Sequence, residues 1–169
     1  IVSQRGNRKR SSNRKYRYKE PAATKRLITD RPKEANDRTG TLHLESDTVM
    51  GIKSSKACIQ NTCDRKSRTV MLDKLHECTA QASSIVTNRR LKVLPEELRE
   101  KMTMTEDNGA ENSNFAEEER ILKIKHFSCH PYSAWERGTV EKLNRSAIRR
   151  FFPKGTDFTH VTFDQIKQA

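Results

Sequence analysis

The stretch Thr41-Leu42-His43-Leu44-Glu45-Ser46-Asp47-Thr48-Val49-Met50-Gly51 reads as a β-strand with two unlike faces. Successive side chains alternate across a strand. Leu42, Leu44 and Met50 therefore fall on one parity, and His43, Glu45, Asp47 and Val49 on the other. Asp47 is expected on the face opposite the leucines, where an acidic group has no apolar neighbours from its own strand.

Working outward, a second strand is expected at Ala57 to Cys63 and a third at Thr69 to Leu72, joined by the polar turn Asp64-Arg65-Lys66-Ser67. Thr79 can cap a helix running to about Leu91, with Ala82, Ile85, Val86 and Val93 roughly on one side, and Leu94-Pro95 ends it. Met102 to Thr105 reads as a fourth strand, stopped by the turn former Asp107-Asn108-Gly109. A helix over Ala110 to Arg120 and a fifth strand over Ile121 to Phe127 follow. Val140, Leu143, Ala147, Ile148 and Phe151 then recur at the helical period, up to Pro153 and Gly155. Three strands, helix, strand, helix, strand, helix is an α/β order with helices on the faces of a sheet, and Asp107 lies just past a strand end.

The net charge of +12 is unevenly placed. Residues 1–38 carry 13 Lys/Arg against 4 Asp/Glu and almost no apolar residues, so they are expected to form a disordered basic arm or linker. Residues 39–169 are then the core, enough chain for one domain. Tyr16 and Tyr18 interleave with the cations of the arm, as suits stacking on bases or lying along phosphates. The alternative is a tail that only solubilises. Cys58, Cys63, Cys78 and Cys129 form no CxxC pair and follow no secretory signal, so they are expected as reduced thiols of an intracellular protein. No apolar run is long enough to span a bilayer. The start at Ile1 and the stop within a helix-like segment read as a fragment truncated at its C-terminus.

Asp47, Asp107 and Glu141 form an Asp, Asp, Glu series in this basic chain. Carboxylates are the ligands Mg²⁺ prefers, and three of them from separate elements can hold a metal pair about 4 Å apart that activates water and neutralises charge on a phosphodiester.

The strings around these acids carry a resemblance. Glu45-Ser46-Asp47-Thr48-Val49-Met50-Gly51, Asp107-Asn108-Gly109-Ala110-Glu111, His130-Pro131-Tyr132-Ser133-Ala134-Trp135-Glu136-Arg137-Gly138-Thr139-Val140-Glu141 and Arg149-Arg150-Phe151-Phe152-Pro153-Lys154-Gly155-Thr156-Asp157 together resemble transposases of the bacterial insertion-sequence-thirty (IS-thirty) family, from about Asp30 to Phe163. The 33 residues between Asp107 and Glu141 fit that family's pattern. The resemblance implies a ribonuclease H-like integrase catalytic core, a mixed five-stranded sheet flanked by helices. It implies that Asp47, Asp107 and Glu141 bind two Mg²⁺ (or Mn²⁺) ions for cleavage and strand transfer of DNA. The partners implied are element ends, target DNA and other copies on DNA, in the bacterial cytoplasm and away from membranes. Arg8, Lys9, Arg10, Arg14 and Lys15 of the arm, with Arg149, Arg150 and Lys154, are the expected phosphate contacts. Trp135 is expected as a core anchor, and Gly138 to relieve crowding before the last helix.

The chain departs from the family where Leu44 replaces a usual Trp, and where Arg145 stands one helical turn after Glu141, placed to pair with it. Arg149-Arg150 also looks displaced by one residue. Two other readings are therefore a decayed remnant that only binds DNA, and a related nuclease that hydrolyses without joining. Deleting the arm is expected to flatten the salt dependence of binding to a random duplex between about 50 and 200 mM salt, because fewer counterions are released. An unchanged slope would assign DNA contact to the core.

Overall fold

The computed structural model describes residues 26–168 except Tyr132, and all side chains among them except those of Glu111 and Ala134. The arm cations Arg8, Lys9, Arg10, Arg14 and Lys15 lie outside the described residues. In chain order the strands are β1 (Arg26–Leu27), β2 (His43–Met50), β3 (Cys58–Asp64), β4 (Val70–Leu75), β5 (Thr103–Glu106) and β6 (Lys125–Ser128). The helices are α1 (Lys33–Asn36), α2 (Ala80–Leu91), α3 (Glu96–Arg99), α4 (Phe115–Leu122), α5 (Gly138–Leu143), α6 (Arg149–Phe151) and α7 (Phe163–Lys167). A π-helical turn over Asn144–Ile148 joins α5 to α6 without a break.

The sheet runs β1-β6-β5-β2-β3-β4. β2, β3 and β4 form the expected antiparallel meander, whereas β5, β6 and β1 add in parallel. It has six strands where five were expected. The additional one, β1, belongs to the segment assigned to the arm. Ile28, Arg31 and Ala35 just after it are buried. Arg31 donates to Asn36 Oδ1 at 2.6 and 2.9 Å and to Thr105 of β5 at 3.1 Å. The packed part of the chain thus begins before the expected boundary at residues 38 and 39, and an arm deletion that keeps β1 must stop before Arg26.

Apolar side chains cover both faces. Leu44, Met104 and Ile124 pack with Leu91 of α2 and Leu122 of α4 on one side. Val49 and Ile59 pack with Ile148, Phe152, Phe158 and Ile166 on the other. The parity of β2 is as its sequence requires, with Leu44 and Val49 on opposite faces. Thr79 caps α2 by accepting from Ala82 N–H at 3.2 Å. The fifth strand read over Ile121 to Phe127 begins later, at Lys125. Ile121 and Leu122 instead complete α4, and Lys123 reverses the chain in the left-handed conformation at φ 63°. Cys58 and Cys78, expected as free thiols, form a disulfide with Cα atoms 5.9 Å apart. The β3–β4 hairpin sets Cys58 opposite Leu75 and so brings residue 78 back to it, a proximity that spacing along the chain does not reveal. Cys63 and Cys129 are free and buried. Among the described residues no helix is long and apolar enough to cross a membrane.

One carboxylate joins α5 to the sheet. Glu45 of β2 is fully buried. Its Oε2 accepts the N–H groups of Thr139 and Val140, at 3.0 and 2.9 Å, in the first turn of α5, where backbone donors have no helical partner. Its Oε1 takes the Arg65 guanidinium, whose Nε reaches Ala35 O at 2.7 Å. Burial, then repulsion from Arg31 and Arg38, pushes the Arg65 pKa down to about 10. It remains charged near neutral pH and matches Glu45.

Two glycines behave differently from each other. A Cβ on Gly51 would lie 2.5 Å from the backbone oxygen of Thr156 and 2.9 Å from Phe158. A Cβ on Gly138 would meet nothing within 4 Å, and Gly138 has an ordinary helical backbone at φ −57°, so the crowding expected there is absent. Gly138→Ala should raise stability by ~0.5–1 kcal/mol through helix propensity, and Gly51→Ala should lower it by ~1–3 kcal/mol through overpacking, both read from urea midpoints. Glu45→Ala leaves a buried guanidinium unpaired and should lower stability by ~3–5 kcal/mol in the same measurement.

Candidate active site

β2 and β5 are the two middle strands and run parallel, with His43, Leu44 and Glu45 beside Thr103, Met104 and Thr105. The same register carried two residues further sets Asp47 beside Asp107, the first residue after β5. The turn there fixes Asp107: its Oδ1 accepts from Gly109 N–H and Asn112 Nδ2, both at 2.9 Å. Asp47 Oδ2 accepts from Asn144 Nδ2 at 2.7 Å, and Asn144 Oδ1 accepts from Asn61 Nδ2 on β3 at 2.7 Å.

The remaining oxygen of each aspartate goes to one cation. Arg137 donates from Nη1 to Asp47 Oδ1 at 2.9 Å and from Nη2 to Asp107 Oδ2 at 3.1 Å, and Nη1 also reaches Ser46 O at 3.1 Å. The Arg137 side chain is 7% exposed, against 21% for Asp47 and 39% for Asp107. Burial opposes its charge, but the attraction of Asp47 and Asp107 outweighs burial and raises its pKa. The two carboxylates therefore converge on one cation, the Arg137 guanidinium.

Glu141 is half-buried on α5, which packs on β2 and β3. The helix is tied on both sides of it, through Thr139 and Val140 to Glu45 and through Asn144 to Asp47. Among the described residues the Glu141 carboxylate has no hydrogen-bond or ion-pair partner, and no three His, Cys, Asp or Glu side chains are gathered tightly enough to hold a metal ion. The structure thus brings Asp47 and Asp107 together around Arg137, with Glu141 on the helix anchored beside them. Arg145 is exposed and makes no ion pair with Glu141, contrary to the expected pairing. It falls at the start of the π turn.

Trp135, expected in the core, is 73% exposed. Its short 3₁₀ turn, Ala134–Arg137, is held instead by Glu136, which accepts from His130 N–H at 2.8 Å and bonds the His130 ring at 2.8 Å. A cleft of about 460 Å³ opens beside this turn, lined by Asp107, Asn108, Cys129, His130, Pro131 and Arg137 among others. Burial pushes the Cys129 thiol up to about 11, so this wall of the cleft carries no thiolate. Arg149 donates to Met50 O at 3.0 Å and braces the helix on the end of β2, whereas Arg150 and Lys154 are exposed.

Sequence reasoning missed Glu45, Arg137 and Asn144 as members of the site. Glu45 shares the parity of Asp47, and Asn144 lies three residues after Glu141, so both were within reach of periodicity. Nothing in the local sequence distinguishes Arg137 from its many fellow cations.

No family model matches the chain. It is 33% identical over 136 residues to the transposase for insertion sequence element IS1086 of Cupriavidus metallidurans, covering 80% of this chain and 39% of the relative. It is 37% identical over 142 residues to the transposase for IS4351 of Bacteroides fragilis, covering 83% and 41%. With the transposase InsI for IS30C of Escherichia coli it shares 35% identity over 136 residues, covering 80% and 34%. The chain therefore spans well under half the length of these relatives. Among solved structures it is similar to the catalytic core domain of BIV integrase, at TM-score 0.50 and 18% identity over 66% of this chain and 70% of that one. It is also similar to a chain of a simian T-cell lymphotropic virus intasome in complex with the PP2A regulatory subunit B56 gamma, at TM-score 0.53 and 19% identity over 73% and 44%. Over the segment it shares with them, this chain is a homologue of the insertion-sequence transposases, the IS30 kind among them, and it has the ribonuclease H-like fold of integrase catalytic cores.

Proposed function

We propose that this chain is the catalytic core of a DNA transposase, cleaving DNA phosphodiester bonds and joining a 3′-hydroxyl to target DNA. The observation that carries the reading is the convergence of Asp47 and Asp107 on one cation, with Glu141 on a helix bonded to the same strand. Asp47, Asp107 and Glu141 would hold Mg²⁺ or Mn²⁺, two ions in the full site. When bound, these ions supply an activated water or hydroxyl nucleophile and offset the charge that builds on phosphorus.

The chain's own residues do the positioning. Asn112 and the Gly109 N–H hold one oxygen of Asp107, and Asn144 holds one oxygen of Asp47. Glu45 fixes where α5 starts and hence how far along the helix Glu141 projects. Arg150 and Lys154 beyond the π turn, with Arg8, Lys9, Arg10, Arg14 and Lys15, are the proposed phosphate contacts, set in a chain of net charge +12. Element ends and target DNA are the proposed partners, and further copies on the DNA complete the assembly.

The ion pair from Arg137 across both aspartates also favours a second reading, a remnant that binds DNA without cutting it. Joining of a labelled, pre-cleaved duplex end into plasmid in Mg²⁺ or Mn²⁺ separates the readings. Asp107→Asn should abolish joining, beyond the ~10–100-fold typical of a lost outer-shell group, while circular dichroism stays unchanged. Full joining by Asp107→Asn would overturn the metal role. Inactivity of the parent chain with intact DNA binding would favour the remnant, and a released rather than joined end would indicate a nuclease.

A further inference from the structure

We propose that Arg137 is a positioning residue that holds Asp47 and Asp107 together as an internal counter-ion and must release both before a divalent cation enters. The proposal rests on the reading of these aspartates as metal ligands.

Arg137 takes one oxygen from each aspartate, and the second oxygen of each is committed to Asn144 or to the Asp107 turn. The oxygens Arg137 occupies are thus the ones left for a metal. A guanidinium and a divalent ion cannot share them, since like charges at contact distance in a partly dehydrated site repel strongly. With the guanidinium in place, no three acidic groups gather among the described residues.

The clamp is also incompletely satisfied. Among the described residues Arg137 Nε is buried without a hydrogen-bond partner, so the held state keeps an unmet donor that release would hydrate or offer to a phosphate oxygen. The turn that carries Arg137 is short and presents Trp135 to solvent, with the Glu136–His130 pair as its fastening to the neighbouring loop. Moving the guanidinium off the aspartates also breaks its bond to Ser46 O, and the four-residue turn that carries it leads directly into α5.

Without Arg137 two carboxylates face each other with no counter-ion. The metal-free protein should lose stability, and a divalent ion should bind with less competition. Arg137→Gln keeps a polar group without the charge, on a side chain two bonds shorter that cannot bridge both aspartates. Mn²⁺ binding is read from the solution electron paramagnetic resonance signal of free Mn²⁺, on the whole chain, beside Arg137→Lys and Asp107→Asn. Trp135 is the single tryptophan of the chain, so its fluorescence follows the same turn.

The expected result is at least a tenfold tighter Mn²⁺ affinity for Arg137→Gln. Its thermal midpoint should fall without metal and recover with Mn²⁺, and Arg137→Lys should stay near the parent. Trp135 emission should shift on Mn²⁺ addition in the parent and change little in Arg137→Gln. Mn²⁺ binding by Arg137→Gln that equals or falls below the parent, in folded protein by circular dichroism, overturns the clamp while leaving the metal reading standing. Mn²⁺ binding that survives unchanged in Asp107→Asn, or is absent from every variant, overturns the metal reading and the clamp with it.

Discussion

A buried carboxylate at Glu45 ties together three parts of the chain that are distant in sequence. Removing a carboxylate from water is unfavourable unless its oxygens are bonded and its charge matched. Both conditions hold here, through the first backbone donors of α5 on one oxygen and Arg65 on the other. Arg65 in turn binds the carbonyl of Ala35, so the segment before β2, the turn after β3 and the start of α5 share one electrostatic junction. The position of Glu141 follows from it, because a helix whose first turn is pinned to a strand cannot slide along that strand.

Around this junction the site is built from parallel neighbours and side-chain relays more than from the acids alone. Asp47 and Asp107 are adjacent because β2 and β5 are the central parallel pair. Asn61 and Asn144 extend the network from β3 across to the helix and hold one oxygen of Asp47, Gly109 and Asn112 hold one of Asp107, and Arg137 takes the other oxygen of each. The positive charge of the chain is divided in the same way. Arg31, Arg65 and Arg137 are buried in the fold's own ion pairs and hydrogen bonds, while Arg150 and Lys154 face solvent.

Much of this was legible before the structure. The alternation over residues 42–50 places Asp47 on the α5 face, and the turn chemistry at Asp107-Asn108-Gly109 ends β5 where it is observed to end. What escaped sequence reasoning depends on contacts between distant segments. Ile121 and Leu122 have strand-like alternation but complete a helix, because α4 buries them against the core. Arg26–Leu27 has no strand signal of its own and pairs because β6 offers an open parallel edge. Trp135 was assigned to the core on its residue type, yet the turn that carries it is fastened by Glu136 and leaves the ring outside.

The π turn over Asn144–Ile148 has an implication for how such a chain changes length. One residue inserted into a regular α-helix rotates everything beyond it by roughly 100°. Here that would swing Ile148 and Phe152 out of the core or pull Asn144 away from Asp47. A turn closed by i→i+5 bonds absorbs the additional residue locally, and both ends keep their attachments. A residue added or removed between Asn144 and Ile148 is thereby confined between two fixed points of the fold.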